Sequence, residues 1–255
     1  MIARVARSIR KRASRLIGVP VRPEELLRRR TIARSYLRGD GLEIGALHNP
    51  LRVPPAARVR YVDRMGVADL RREYPELSGK PLVDVDILDD GETLASIGDA
   101  TQDFVIANHF IEHCENPIGA IRNMLRVLKE GGVLYLAIPD KRYTFDKDRP
   151  VTPIEHLMRD FQEGPTWSRR PHYEEWTRLV NKVTDEGRSR REVEDLMAKR
   201  AAIHFHVWTQ AELLDLIGRL RRMWAFEVEL MFKRENEVLF ILKKTGPTSG
   251  DGDAR

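Results

Sequence analysis

A short apolar run that ends in a glycine, Gly41-Leu42-Glu43-Ile44-Gly45, most constrains the fold of this chain. Such a run predicts a buried strand that enters a tight turn. A second run, Tyr61-Val62-Asp63, ends in a carboxylate 20 residues after Glu43. Nucleotide-binding α/β folds place an acid at this distance on a ribose hydroxyl. The two runs therefore predict a cofactor site; an ordinary core strand followed by a turn is the alternative.

Strand and helix patterns alternate along the next hundred residues. Residues 104–107 predict a buried strand, and the near-continuous apolar run at 133–138 is typical of a strand buried on both faces of a parallel sheet. Between them, residues 117–128 carry apolar side chains at the helical period. Weaker patterns predict a third strand at 81–85 and a helix at 91–97. Prolines between the first two strands predict a loop there.

The C-terminal part predicts a helix and a hairpin. Thr209 and Glu212 have the spacing of a capping box at a helix start. Residues 225–232 and 237–242 flank a polar turn and predict an antiparallel hairpin at the sheet edge. The predicted fold class is therefore α/β, a doubly wound, Rossmann-like, mostly parallel sheet with an antiparallel last strand.

The alternation lapses at residues 141–208, which hold eight of the 18 aromatic residues and four of the seven histidines. We interpret this segment as a helical insertion after the fifth strand that covers the carboxyl ends of the strands, where open α/β sheets bind ligands. The predicted organisation is a basic N-terminal helical arm at 1–38, a catalytic domain at 39–244 that contains the insertion, and a disordered tail at 245–255.

The charge of the chain is uneven. Residues 1–38 carry a net charge of +10, so the remainder carries about −5. A basic amphipathic arm is typical of helices that bind an anionic membrane surface, and a solvated helix docked on its own domain is the alternative. Apolar residues make up 42% of the chain and charged residues 33%, which predicts a soluble protein. The single cysteine, Cys114, excludes a disulfide framework and a multi-cysteine zinc site, and it suits a cytoplasmic location.

Five motifs occur in an order that resembles a known family. They are Glu43-Ile44-Gly45, Asp63, Asp86-Ile87, the run from Phe104 to His113, and Glu130-Gly131-Gly132 with the strand up to Pro139. Together they resemble the class I S-adenosylmethionine-dependent methyltransferases over about residues 40–140 and the final hairpin. The sequence departs from the family where Ala46 and Leu47 replace the later glycines of the first turn.

The resemblance implies S-adenosylmethionine as the cofactor. It implies that Glu43 and Gly45 line the methionine end, that Asp63 holds the ribose hydroxyls, that Asp86 and Ile87 meet the adenine, and that Asn108 or His109 closes the site near the sulfonium. A dinucleotide is disfavoured, because its pyrophosphate needs a glycine-rich turn and a helix N-terminus that the first turn lacks.

A second resemblance concerns the methyl acceptor. Residues 138–146, Pro153-Ile154-Glu155-His156 and the stretch from His204 to Thr209 resemble methyltransferases of glycan biosynthesis that O-methylate sugars. The resemblance implies an acceptor site drawn from six polar residues. These are Asp140, Tyr143, Glu155, His156, His204 and His206. The alternative for the aromatic residues of this segment is a small core of the insertion itself.

Methyl transfer to an alcohol requires a group that removes the hydroxyl proton, and a positioned histidine provides one. His109 and His113 follow the fourth predicted strand and are the candidate bases; structural histidines are the alternative for both. The spelling His-x-x-Glu-His also occurs in zinc peptidases, but those ligands need a helix. A Mg²⁺ ion bound by Glu112 and His113 remains as a metal prediction.

The sequence thus predicts a cytoplasmic S-adenosylmethionine-dependent O-methyltransferase of a saccharide or glycan precursor, peripheral to an anionic membrane through its arm. Methylation of another small hydroxylated metabolite is the first alternative. An RNA-binding or RNA-modifying protein is the second alternative. No nucleic acid is expected as a partner, because no Asn/Asp-Pro-Pro-Tyr-type signature follows the fourth strand. A basic arm alone is also a poor predictor of RNA binding.

Overall fold

Strands separated by helices assemble one seven-stranded sheet in the computed structural model, which describes residues 28–247. The strands are β1 (Gly39–Ile44), β2 (Ala57–Asp63), β3 (Ile87–Leu88), β4 (Gln102–Asn108), β5 (Leu128–Pro139), β6 (Phe226–Arg234) and β7 (Glu237–Lys244). Their order is β3-β2-β1-β4-β5-β7-β6. Neighbours from β3 to β5 run parallel, whereas β7 is antiparallel to β5 and β6. The predicted doubly wound sheet with a reversed last strand is confirmed.

Helices cover both faces of the sheet. They are α1 (Arg29–Tyr36), α2 (Val67–Glu73), α3 (Pro117–Val127), α4 (Ile154–Glu163), α5 (Thr166–Leu179), α6 (Glu186–Lys199) and α7 (Gln210–Met223). Alternate residues of each strand point to opposite faces, so Val105 of β4 packs in the larger core with α3 and α7. Phe104 and Ile106 pack in the smaller core with α1. The sheet is therefore buried on both sides, as its apolar strands predict.

Local signals in the sequence fix several helix ends. Asn116 accepts a hydrogen bond from the Gly119 N–H at 2.8 Å, directly before Pro117 opens α3. The predicted capping box at the start of α7 is confirmed, with Thr209 and Glu212 each capping the other's backbone. Both motifs satisfy N–H groups that a helix start leaves without partners.

Two predicted elements are wrong. Residues 81–85 form no strand, and within the described chain β3 begins only at Ile87. The Val83 N–H donates to the Leu47 carbonyl in the loop after β1 rather than to β2, and the Asp86 N–H is the one that donates to the Tyr61 carbonyl of β2. Residues 91–97 form turns rather than a helix, since Leu94 has a φ of +47°. A left-handed residue in the middle of this segment is incompatible with a continuous right-handed helix.

The insertion after β5 contains α4, α5 and α6. It leaves and rejoins the sheet at one place, because Asp140 pairs with Trp208 and the Lys141 N–H donates to the Trp208 carbonyl at 2.9 Å. Tyr173, Val193, Ile203 and Phe205 form a small core of its own. The predicted alternative, an internal core of the insertion, thus holds for Tyr173 and Phe205.

The basic arm and the tail fall largely outside the described residues. Only α1 of the arm is described, and the predicted tail is described up to residue 247. Among the described helices, none combines the length and the apolar character needed to cross a lipid bilayer. Binding of the arm to a membrane surface stays a prediction.

Candidate active site

The carboxyl ends of β1, β2 and β4 open into a cavity of about 630 Å³. Gly45, Asp63 and His109, which end or follow these strands, line it. The cavity lies at the point where the strand order reverses, between β1 and β4, and open α/β sheets bind their ligands at such a point. Its volume is in the range of sites for nucleoside-sized ligands.

The insertion covers this cavity. Pro165, Arg169 and Tyr173 of the α5 region and Phe205 after α6 line it from the side opposite the sheet. Arg169 forms two hydrogen bonds with the Glu115 carboxylate, both at 2.7 Å. The core domain and the insertion are thus joined by a bidentate ion pair at the cavity itself.

Two glycines shape the cavity wall next to β1. Gly45 has a φ of +63°, in the left-handed region, and an added Cβ would meet Phe110 at 3.7 Å as its nearest neighbour. Gly91 lies close to two side chains: a Cβ there would be 2.5 Å from Cγ2 of Ile44 and 2.6 Å from Cζ of Phe110. Glycine is therefore required at position 91 for a steric reason and is favoured at position 45 for a backbone reason.

Asp63 ends β2 with its carboxylate at the cavity wall. Burial raises the pKa of this carboxyl, and the Met65 N–H donates to its Oδ1 over a long distance of 3.4 Å. A hydrogen bond of that length is weak. The acceptor capacity of Asp63 is therefore largely available for a ligand.

His113 lines the cavity, and its hydrogen-bond partner shows which of its two ring nitrogens carries the proton. Its Nδ1 lies 3.0 Å from the carbonyl oxygen of Ile203. Because a carbonyl only accepts, Nδ1 carries the proton and Nε2 keeps its lone pair. Burial lowers the pKa of His113 to about 4, so the ring is neutral near pH 7. A neutral histidine with an available lone pair at a cavity is able to accept a proton from a bound hydroxyl.

The matched family agrees with this geometry. Residues 45–136, from the turn after β1 into β5, match a family described as "Methyltransferase domain". This segment is a methyltransferase domain. The protein is accordingly an S-adenosylmethionine-dependent methyltransferase. No curated protein matches the chain.

Solved structures similar to the methyltransferase are distant. One is an S-adenosylmethionine-dependent methyltransferase from Methanosarcina mazei, at 15% identity over 83% of this chain and 95% of that one, with a TM-score of 0.44. A possible histamine N-methyltransferase from Thermotoga maritima has 18% identity over 82% and 83%, with a TM-score of 0.42. The CurJ carbon methyltransferase has 11% identity and a TM-score of 0.45; the match covers 83% of this chain and 50% of that one.

The cavity fits the cofactor of this enzyme class. S-adenosylmethionine has vicinal ribose hydroxyls and a sulfonium cation. Asp63 offers an uncommitted carboxylate for the hydroxyls, and Gly45 leaves space above the turn. Asp90 adds a further carboxylate to the wall, whereas Glu92 accepts two backbone N–H groups and Glu115 is paired with Arg169.

Glu43 has a different environment from the one predicted. It is 1% exposed, it does not belong to the cavity wall within the described chain, and both of its oxygens accept the Leu51 N–H, at 2.9 and 3.1 Å. Burial raises its pKa to about 7. Glu43 holds the loop after β1 in place, so its contribution to the cavity is through the position of that loop.

Asp86 and Ile87, the residues predicted to meet the adenine, are not part of the cavity wall within the described chain. Asp86 lies outside the wall, where its carboxylate accepts the Tyr61 N–H at 2.8 Å, and Ile87 packs on the large core. The next turn supplies the wall instead, through residues 90–93. Its Glu92 accepts the N–H groups of Glu115 and Asn116, and burial raises the pKa of Glu92 to about 7. The sequence signal that could have pointed to this turn is an acidic residue shortly after the third strand.

Asn108 ends β4 and His109 follows it, but of these two only His109 lines the cavity. The buried Asn108 amide faces the Glu43 carboxylate instead and opposes the rise of the Glu43 pKa. His109 has a φ of +50°, and its Nε2 lies 3.0 Å from Glu237 on β7. Although burial opposes it, hydrogen bonding to His109 and Arg29 lowers the pKa of Glu237 to about 2. His109 is therefore held by a carboxylate, unlike His113.

The predicted metal residues Glu112 and His113 lie together, and His204 joins them, with one donor atom of each within 4.8 Å of the others. Glu112 is 1% exposed; burial raises its pKa, and neither oxygen has a hydrogen-bond partner in the described part of the chain. Two imidazoles suit a transition metal better than Mg²⁺, which prefers oxygen.

The six predicted acceptor residues do not come together in one site. Within residues 28–247, the cavity wall includes none of them. Asp140 is buried in a bidentate pair with Arg142, Tyr143 is 57% exposed, and Glu155 is exposed. The Nδ1–H group of His204 donates to the Asp146 carboxylate at 2.7 Å, and the His204 ring lies beside that of His113. His156 and His206 belong to a separate cluster in the insertion.

Proposed function

We propose that this methyltransferase transfers a methyl group to a hydroxyl oxygen of a saccharide or glycan precursor. One observation carries the proposal. The neutral ring of His113, whose Nε2 is available, lies on the wall of a cavity that polar and aromatic residues of the insertion also line. The second resemblance, to glycan O-methyltransferases, supplies the acceptor class. Another small hydroxylated metabolite is the alternative acceptor for the same chemistry.

When bound, S-adenosylmethionine supplies an electrophilic methyl group on a sulfonium. Asp63 and Gly45 are the residues that would hold it, together with the acids of the wall. His113 would take the proton of the acceptor hydroxyl at Nε2, while its Nδ1 stays bound to the Ile203 carbonyl. A positioned base of this kind contributes about two to four orders of magnitude in rate.

The insertion would orient the acceptor and exclude water. Tyr173 and Phe205, which are almost fully buried in the core of the insertion, would close this side of the cavity, and the Arg169–Glu115 pair would offer charged groups to the hydroxyls of a sugar. Orientation of the reacting atoms accounts for up to about 7 to 11 kcal/mol in well-ordered systems. Mg²⁺ at Glu112 and His113 stays a prediction, which exhaustive chelation tests: unchanged turnover would contradict it.

Transfer of labelled methyl from S-adenosylmethionine to a panel of saccharides and to non-sugar alcohols tests the proposal. We expect a methyl ether on a saccharide, and a kcat about 10²- to 10⁴-fold lower for His113→Asn with unchanged cofactor affinity. His48→Asn is the control, because His48 lies outside the cavity wall and contacts Lys80. Methylation at nitrogen or carbon, or only of non-sugar alcohols, would contradict the saccharide assignment.

A further inference from the structure

Four metal-binding side chains of the insertion converge at one buried point outside the cavity wall. His156 and Asp160 lie one turn apart on α4, His172 lies on α5, and His206 lies on the segment that leads to α7. One donor atom of each lies within 4.8 Å of the other three. We propose that these four residues bind a single zinc ion that fixes the insertion in place.

Three distances between donor atoms are close to those of a tetrahedral site. The Nε2 atom of His156 lies 3.1 Å from Nε2 of His172 and 3.2 Å from Oδ2 of Asp160. Nε2 of His206 lies 3.6 Å from the same oxygen, and it also lies 3.2 Å from the Glu115 carbonyl oxygen. A tetrahedron with zinc–ligand bonds of about 2.05 Å has edges of about 3.3 Å. Binding of one ion would therefore need small shifts of the donor atoms and would replace the contact of His206 with the Glu115 carbonyl.

The carboxylate at the centre of the cluster lacks a partner of the usual kind. Asp160 is 0% exposed, and its Oδ1 accepts a hydrogen bond from Ser168 at 2.7 Å. Its Oδ2 accepts no hydrogen bond within the described chain, although two histidines face it. A buried carboxylate requires a cation or a full set of donors. A dication between Oδ2 and the three rings would meet this requirement, and Ser168 would orient the ligand.

The donor atoms of the cluster indicate which metal it would bind. Three nitrogen donors and one carboxylate favour zinc over Mg²⁺ or Ca²⁺, which prefer oxygen.

A site with four protein ligands has a structural role, because no position is left for substrate. It joins α4 to α5 and to the segment at 203–208. The same α5 carries Arg169 and Tyr173, and the same segment carries Phe205, which all line the cavity. Zinc would therefore maintain the shape of the insertion at the acceptor side without contacting the acceptor.

The metal content of the full-length protein, purified with zinc and then freed of loosely bound metal, tests this inference. We expect about one zinc ion per chain by elemental analysis, and at least about tenfold less in Asp160→Asn and His172→Asn. His204→Asn is the matched control, because it alters the other histidine cluster, with Glu112 and His113, and should retain zinc.

A wild-type protein that holds no stoichiometric zinc after incubation with it would overturn the inference, since the cluster would then be only a buried polar network. Loss of zinc in His204→Asn alone would also overturn it. If the ligand variants do not fold, Co²⁺ replacement in the wild type decides: the visible spectrum of tetrahedral Co²⁺ with nitrogen ligands supports the site, and an octahedral spectrum or no binding refutes it. Neither readout depends on the methyl acceptor.

Discussion

Arg169 on α5 and Glu115 before α3 form a bidentate ion pair, with both N–O distances at 2.7 Å, on the wall of the cavity. The two residues lie 54 positions apart in the chain, one in the insertion and one in the catalytic domain. Both side chains are partly buried, at 29% and 23% exposure. The ion pair therefore connects the insertion directly to the rest of the catalytic domain.

Removing this pair should loosen the insertion. In a double-mutant cycle with Glu115→Gln and Arg169→Gln, we expect a coupling energy of about 1 kcal/mol from urea unfolding, typical of a well-formed pair that retains some solvent screening. KM for the acceptor should rise in both single variants. Additive effects, with no coupling, would show that the pair does not join the two parts.

Asp63 and Asp86 allow a matched test of cofactor binding. Asp63 lies on the cavity wall, whereas Asp86 lies outside it and caps the Tyr61 N–H. We expect Asp63→Asn to weaken S-adenosylmethionine binding by at least about tenfold, or about 1.4 kcal/mol, by calorimetry. Asp86→Asn should change it less than about twofold. An equal loss in both variants would favour the role of Asp86 that the sequence predicted.

Alanine at Gly91 should be harmful because its Cβ would overlap Ile44 and Phe110, at 2.5 and 2.6 Å. We expect a loss of about 1–3 kcal/mol in the free energy of unfolding, as for other overpacked sites. Gly218→Ala on α7 is the control, since a Cβ there meets nothing within 4 Å. It should raise stability by about 0.5–1 kcal/mol. An unchanged free energy of unfolding in Gly91→Ala would mean that the side chains of Ile44 and Phe110 move to make room for the added methyl group.

The carboxyl of Glu43 should make stability depend on pH. Burial raises its pKa from 4.5 to about 7, so the folded chain binds more protons than the unfolded chain between these values. Its contribution to stability is present below pH 4.5 and is lost as the pH rises through 7. We expect Glu43→Gln to gain about 2 kcal/mol relative to wild type between pH 5 and pH 8.

Urea unfolding at both pH values measures this gain. Glu76→Gln, at an exposed position of the described chain, is the control. It should change the free energy of unfolding by the same amount at both pH values. If the free energies of unfolding of Glu43→Gln and wild type differ by the same amount at pH 5 and at pH 8, the raised pKa of Glu43 is contradicted.

Local patterns predicted most of the sheet and its helices. The apolar strands, the capping box of Thr209 and Glu212, and the final hairpin depend on side chains close in sequence, so their spacing is readable in one dimension. The same holds for Gly45 and Asp63, because a residue that ends a parallel strand must lie at the ligand-binding edge. The helix predicted at 91–97 failed because a single left-handed residue, Leu94, overrode the local pattern.

The sequence by itself determined the order of strands and helices, the edge of the sheet that opens to a ligand, and the class of cofactor. Only the tertiary structure decided which side chains share a space. Arg169 meets Glu115, and His206 meets Asp160, across 54 and 46 residues of chain. Such encounters depend on how the helices of the insertion pack, and packing is determined by buried contacts throughout the fold rather than by any local period.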